Sequence, residues 1–180
     1  MAEFGRGRDQ VAFSPRSDPR STGGLRPVHL ACAKGYDDIV NALIKGECDV
    51  AAATESGDQP LHLAGRTGNT NLSSALVDAG ADVEATNLSG TTALAYAANA
   101  GHEGCARFLI RKGASATALD SRSCSALHLA AAGGHVHMVK LLMDSGCDPH
   151  QPNGSGKSPI DLALGKECKA LLAGTATAAE

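Results

Sequence analysis

Two clusters in this chain have residue types and spacings that chemistry could use. Residues 153–158 read NGSGKS, the ending of a phosphate-binding loop G-x-x-x-x-G-K-[ST]. There, backbone amides curl around phosphate while a lysine and a hydroxyl reach the β/γ-phosphates and Mg²⁺. Lys157 and Ser158 would fill those roles, but the pattern needs glycine at 151, where Gln151 stands, and no buried strand is read before it. His128, His135, His137 and Cys124 form the second cluster, and imidazole and thiolate are zinc ligands. No Ser-His-Asp set and no paired carboxylates stand out.

The elements that must position these residues come from a repeat. LHLA occurs at 61–64 and again at 127–130, and LAYA begins halfway between, at 94. VHLA begins at 28 and IDLA at 160, so the five starts keep a spacing of 33 with no insertion. A fixed period of this length is the signature of stacked repeats. Gly35, Gly68, Gly101 and Gly134 align, as do Leu43, Leu76, Leu109 and Leu142, and Asp49, Asp82 and Asp148 with Ser115 between them. Gly24, Gly57, Gly90 and Gly156 share another column, with Ser123 in the odd row.

Each column predicts local structure. Pro27, Pro60 and Pro159 suit the first residue of a helix, and Thr92, Ser125 and Ser158 suit N-caps. Arg26 and Gln59 are weaker caps, which predicts looser starts there. The first helix should run over about 28–34 and end at the glycine column. A second helix follows, with Ile39, Val40, Leu43 and Ile44 on one face. Gly80, Gly113 and Gly146 close it in later repeats, whereas in the first Gly46 lies one place early and Glu47 occupies that position. The rest of each unit reads as a projecting turn. One unit cannot offset its own ordering entropy and must stack on neighbours.

The register also re-reads the reactive clusters. His128 shares a column with His29 and His62, and His135 with Tyr36, Asn69 and His102, so both are expected to be structural. Gly156, Ser158 and Pro159 become a turn glycine, a cap and a first helical residue. Cys32, Cys48, Cys105 and Cys147 fall in columns of small or apolar residues and are expected in the core. Cys124 falls on a turn and is the most accessible thiol expected.

Composition narrows the class. Of 180 residues, 43% are apolar but only 3% aromatic, so the apolar mass is Ala, Leu and Val, which suits close-packed helices. The formal charge of −3 gives no bulk attraction to nucleic acid or membrane. No apolar window is long enough to span a bilayer, and the start MAEFGRGRDQ has no signal-peptide core. An intracellular protein, cytoplasmic or nuclear, is expected, with thiols rather than disulfides.

The segments TESGDQPLHLAGRTGNTNLSSALVDAGAD (54–82) and SRSCSALHLAAAGGHVHMVKLLMDSGCD (121–148) resemble the ankyrin repeat pattern D-x-x-G-x-T-P-L-H-x-A-x-x-x-G-x-x-x-x-V-x-x-L-L-x-x-G-A-D. The resemblance implies an all-α repeat solenoid of helix-turn-helix units with β-hairpin fingers. Four full repeats (about 25–57, 58–90, 91–123 and 124–156) precede a shortened C-terminal capping repeat (157–174), in which Asp161 replaces the column histidine. The repeat domain is read over 20–174, after a disordered arm (1–19) in which Ser14 precedes Pro15, and before a frayed tail (175–180).

The resemblance further implies protein binding without catalysis, cofactor or metal. The family's groove-facing positions, carried over by register, give Arg20, Leu25, Lys34, Glu55, Asp58, Arg66, Leu88, Thr91, Asn99, Leu119, Arg122, Cys124 and Lys157 as partner-binding residues. Over all such positions six basic residues, Lys166 among them, face two acidic ones, Glu55 and Asp58, and Leu25, Leu88 and Leu119 add apolar points. A monomeric scaffold or adaptor is expected, whose partner is a protein with an acidic, partly apolar surface or peptide. Two other readings stay open: a targeting region of a larger enzyme such as a kinase or acyltransferase, and a small nucleotide-binding protein.

Overall fold

Ten helices run through residues 23–174, the part of the chain that a computed structural model describes. The segment 1–19 with Ser14, the groove candidate Arg20, and the tail 175–180 lie outside the described residues. The helices come in five pairs: α1 (Pro27–Lys34) with α2 (Asp37–Lys45), α3 (Pro60–Thr67) with α4 (Thr70–Asp78), α5 (Ala93–Ala100) with α6 (Glu103–Arg111), α7 (Ala126–Gly133) with α8 (Val136–Asp144), and α9 (Pro159–Leu162) with α10 (Lys166–Ala173). The first four pairs have the same lengths in the same register, as the 33-residue period predicts.

Glycine sets the turn inside a pair. Gly35, Gly68, Gly101 and Gly134 all adopt left-handed backbone, with φ between 70° and 73°. The residue after each then donates back into the helix, as Tyr36 N–H does to the Ala31 carbonyl at 3.0 Å. At the other end of the first helices the caps differ. Thr92 and Ser125 accept helix amides through their hydroxyls. Arg26 and Gln59 make no such bond, yet α1 and α3 start in register. There the third helical residue reaches back: His29 Nδ1 accepts the Arg26 N–H at 2.9 Å, and His62 Nδ1 the Gln59 N–H at 3.0 Å. His128 does the same for Ser125 at 3.1 Å. This is half of a capping box, with imidazole in place of a carboxylate. Asp161 supplies the carboxylate version at α9, taking the Ser158 N–H at 2.9 Å.

Pairs stack on pairs. The odd helices α1, α3, α5, α7 and α9 pack in series, and the even ones do likewise. Leu61, Leu94 and Leu127 of the odd helices and Leu72, Leu76, Leu109, Met138 and Leu142 of the even ones are fully buried between them. Apolar side chains repeat at the spacing that one helical face requires. No helix among the described residues is long and apolar enough to cross a membrane.

The expected finger hairpins are not confirmed. No strand forms among the described residues, and the pairing reduces to isolated bridges at Thr86–Thr92 and Leu119–Ser125. The last pair is shortened inside its first helix, which stops at Leu162 after four residues. Ala163 leaves the helix in extended backbone (φ −60°, ψ 124°), Leu164 N–H donates to the Ala131 carbonyl of α7 at 2.9 Å, and Gly165 (φ 82°) then caps the start of α10.

Among the described residues, two that are not glycine sit in left-handed backbone, and both occupy glycine columns: Glu47 (φ 57°) and Ser123 (φ 57°). A side chain there costs about 1–2 kcal/mol, partly offset in a glycine variant by chain entropy. Glu47→Gly and Ser123→Gly are each expected to stabilise the fold by about 1 kcal/mol. Leu76→Ala, at a fully buried site, should destabilise it by about 2–5 kcal/mol. Leu88→Ala, at a side chain 79% exposed, should cost less than about 1 kcal/mol. Urea midpoints measure all four, and equal losses at Leu76 and Leu88 would contradict this burial pattern.

Candidate functional site

The turns are built by hydrogen bonds that the side chains around them do not have to supply. Thr54, Asn87, Asp120 and Asn153 form a column at the 33-residue spacing. In each turn this residue's N–H donates to the carbonyl four residues on: Asp58, Thr91, Cys124 and Lys157, at 2.9–3.1 Å. Its side-chain oxygen accepts the N–H of that same residue, as Asn87 Oδ1 does from Thr91 at 3.0 Å. Asn87, Asp120 and Asn153 also accept from the residue two places on, an Asx turn. Successive turns are then tied tip to tip. The carbonyls of Gly23, Ser56, Ser89 and Arg122 accept the N–H groups of Glu55, Leu88, Ser121 and Gly154 at 2.8–3.1 Å. The Asn/Asp column was visible in the sequence as a turn-former at fixed spacing, and reading by glycines and leucines passed it over.

A concave pocket of about 480 Å³ opens between these turns and the odd helices. Asn87, Ser89, Thr91, Asp120, Ser121 and Arg122 line it from the turns, and Ala95, Tyr96, Asn99 and Leu129 from α5 and α7. Of the residues expected to bind a partner, this brings together Thr91, Asn99 and Arg122. Lys34 and Arg66 are exposed near the ends of α1 and α3, and Glu55 and Lys157 are exposed on the first and last of the four closed turns. Leu88 and Leu119 are exposed, while Leu25 is half-buried. Cys124 is half-buried, its thiol 3.5 Å from Asn153 Nδ2.

Asp58 differs from its expected place as an open contact residue: it is buried. Its carboxylate accepts Asn87 Nδ2 at 2.8 Å, the Tyr96 hydroxyl at 3.1 Å and the Ser56 hydroxyl at 2.9 Å. Burial and the Asp58 charge together push the Tyr96 phenol above its ordinary pKa. Tyr96 also meets the His62 ring edge-on, with centroids 6.1 Å apart. Asn87, Tyr96 and Asp120 therefore belong to the pocket's construction, though the register omitted them. Asp120 also pairs with Arg122 at 3.4 Å. The Arg122 side chain is three-quarters exposed, so this pair holds it weakly.

The phosphate-loop reading finds no seat. Residues 153–157 form the fourth closed turn, and α9 behind them has only four residues. The Asp161 carboxylate already takes the Ser158 N–H and hydroxyl at that helix start, where a phosphate would need to lie. Four of the histidines are likewise committed through Nε2. His29 and His62 donate through Nε2 to the carbonyls of Ala52 and Thr91, at 2.9 and 3.1 Å. His102 and His135 donate to those of Arg66 and Asn99, both at 3.1 Å. Among the described residues no group of three His, Cys, Asp or Glu side chains is placed to hold a metal. All six cysteines are thiols. Burial raises Cys32 to about 12 and Cys147 to about 11, which keeps them protonated and unreactive.

What remains is a row of hydrogen-bonded turns beside a helical stack, with a pocket and exposed side chains between. A family model described as ankyrin repeats, in three copies, matches residues 11–87, 28–120 and 75–153. The chain belongs to the ankyrin repeat family. Such repeats are generally protein–protein interaction modules and are typically non-catalytic. No curated protein matches the chain.

The ankyrin histidines give the stack a pH dependence. Burial lowers the pKa of His62 and of His128 below 6.5, against the opposing pull of the Thr91 carbonyl and Asp58 at His62. Both are neutral in the fold, while the unfolded chain binds protons below pH 6.5. Their contribution is therefore present above that pH and is lost as pH falls toward the depressed folded values. Urea midpoints should hold steady between about pH 8 and 7 and fall between about pH 6.5 and 5. A His62→Gln/His128→Gln variant should be less stable at pH 7.5 and show a shallower fall through that window.

Proposed function

We propose that this chain is a non-catalytic scaffold or adaptor that binds a partner protein through the turns and odd helices. Four full repeats and a shortened last one, over 20–174, form the binding unit, which acts as a monomer in a reducing, cytoplasmic or nuclear compartment. The observation that carries the reading is Leu88. It is a large apolar side chain, 79% exposed, on a turn (87–91) whose amides are all hydrogen-bonded. Folding does not need it there, and an exposed apolar group held rigidly suits an anchor for a partner. Leu119, exposed one turn further on, extends the apolar surface.

The charges indicate the partner's character. Lys34, Arg66, Arg122 and Lys157 are exposed along this side, against the exposed Glu55 and the internally bonded Asp58, while Lys166 opens α10 and lies outside it. A surface or peptide that is acidic and partly apolar complements them. Arg66 and Arg122 belong to pairs two layers apart, about 20 Å at the usual interaxial distance. An extended acidic segment of about six residues reaches both, at about 3.3 Å per residue.

Exposed charges steer association and are screened by salt, whereas buried apolar contacts hold the complex. For a partner captured by the intact chain, Arg66→Glu with Arg122→Glu should slow association about tenfold or more, most at low salt. Leu88→Ala should instead speed dissociation. Surface plasmon resonance at about 50 and 500 mM salt separates the two. Binding that ignores salt and both arginine reversals would move the site away from the turns.

A further inference from the structure

The column at 54, 87, 120 and 153 supplies an internal reference for the concave pocket. Asn87 and Asn153 hold their own turns through the amide oxygen and reach the turn before through the amide nitrogen. Asn87 Nδ2 donates to the Asp58 carboxylate at 2.8 Å, and Asn153 Nδ2 to the Cys124 sulfur at 3.5 Å. Asp120 holds its turn in the same way, Oδ1 accepting the Arg122 and Cys124 N–H groups, both at 2.8 Å. Its second atom is an oxygen with no proton to give. Among the described residues no side-chain bond ties Asp120 back to Thr91, which stands where Asp58 and Cys124 stand in the other two gaps. The pocket of about 480 Å³ opens at this gap.

Asp120 Oδ2 instead meets Arg122 Nη2 at 3.4 Å. The turn does not need that charge, since asparagine builds the same turn at 87 and 153. Acids lie inward here and bases outward. The Asp120 side chain is 5% exposed and Asp58 is buried, while the Arg122 side chain is 75% exposed and Arg66 is exposed. The Arg66 charge also reaches this pocket, where it opposes the upward shift of the Tyr96 phenol. A ligand entering from solvent therefore meets guanidinium first.

We propose that this pocket seats one side-chain carboxylate of the partner protein on Arg122, displacing Asp120 as its counter-charge. The proposal rests on the reading of the turns and odd helices as the binding face. A guanidinium presents its N–H donors in a planar fork that matches the two oxygens of a carboxylate. Asp120 engages that fork through a single long contact. Leu129, half-buried in the pocket wall, leaves apolar surface for the methylenes of a glutamate. A phosphate dianion suits the seat less, because two buried carboxylates stand behind it and their repulsion grows with the charge of the ligand.

The probe is an alternating Glu-Leu peptide of about eight residues, long enough to cross two layers, beside its Gln-Leu counterpart and a version with phosphoserine for glutamate. Binding to the full chain is read by fluorescence anisotropy and by backbone amide shifts in nitrogen-15 NMR spectra. The Glu-Leu peptide should bind saturably and shift Ser89, Thr91, Ser121 and Arg122, with the Gln-Leu peptide about tenfold weaker or more. Arg122→Gln should weaken the Glu-Leu peptide about tenfold, and Arg122→Lys, which keeps the charge but loses the fork, about threefold or more. Asp120→Asn should strengthen it about threefold or more, because a like charge leaves the neighbourhood of the bound carboxylate. A purely structural duty for Asp120 predicts no gain, so unchanged or weaker binding in Asp120→Asn overturns the proposal. Tighter binding of the phosphoserine peptide overturns it as well, as does the absence of saturable binding. Shifts at 54–58 and 153–157 that spare the pocket remove this seat and leave the groove standing. Shifts confined to the even helices remove the groove with it.

Discussion

A pair of short helices cannot bury both of its faces, and the rest of this structure follows from that constraint. Helices of eight or nine residues are marginal alone. Each pair here becomes stable by offering one apolar face to the pair before it and another to the pair after it. Leu76, Leu109 and Leu142 are fully buried because neighbours stand beside them, not because their own pair encloses them. The identical 33-residue period is the sequence's answer: a stack grows without strain only if each unit presents the same faces at the same heights.

The connecting turns obey a different logic. They lack large buried side chains and are held by backbone and Asx hydrogen bonds, one set within each turn and one bond between successive turns. The column that matters is the acceptor at 54, 87, 120 and 153. Apart from the buried Asp58, the side chains between these acceptors and the helix starts carry little structural duty, which is why Leu88, Arg122 and Lys157 can stand exposed there. Stability is thus assigned to the helices and variability to the turns, so surface chemistry can change without loss of the stack.

The helical register was legible residue by residue. Proline at the first helical position, left-handed glycine after the first helix and leucine at the 3.6-residue spacing each have one local meaning, and each recurs at intervals of 33. Glu47 in a glycine column was also legible, and its φ of 57° follows from that place. The burial of Asp58 was not. Its column contains Leu25, Thr91, Cys124 and Lys157, none of them a fixed type, and its partners Asn87 and Tyr96 lie 29 and 38 residues away. Periodicity reports what every repeat shares, and a contact made in one repeat only is invisible to it. The early stop of α9 was not legible either: Leu164 bonds the Ala131 carbonyl of α7, again a contact made in one repeat only.

The third pair shows how departure from the period builds a site. Ala95 stands where the other first helices carry His29, His62, His128 or Asp161, so no side chain reaches back to the cap, and the Thr92 hydroxyl secures the helix start alone. Tyr96 stands in a column of leucines, and its hydroxyl would be costly to bury without a partner. Asp58 and Asn87 supply that partner from two successive turns, and the His62 ring packs against it from α3. Two units are thereby cross-linked by polar contacts at the floor of the concave pocket, in a stack otherwise joined mainly by apolar packing. Such a network fixes the angle between turns more tightly than leucines do, because hydrogen bonds are directional. The pocket's shape therefore depends on residues that break the repeat, whereas the stack's persistence depends on those that keep it.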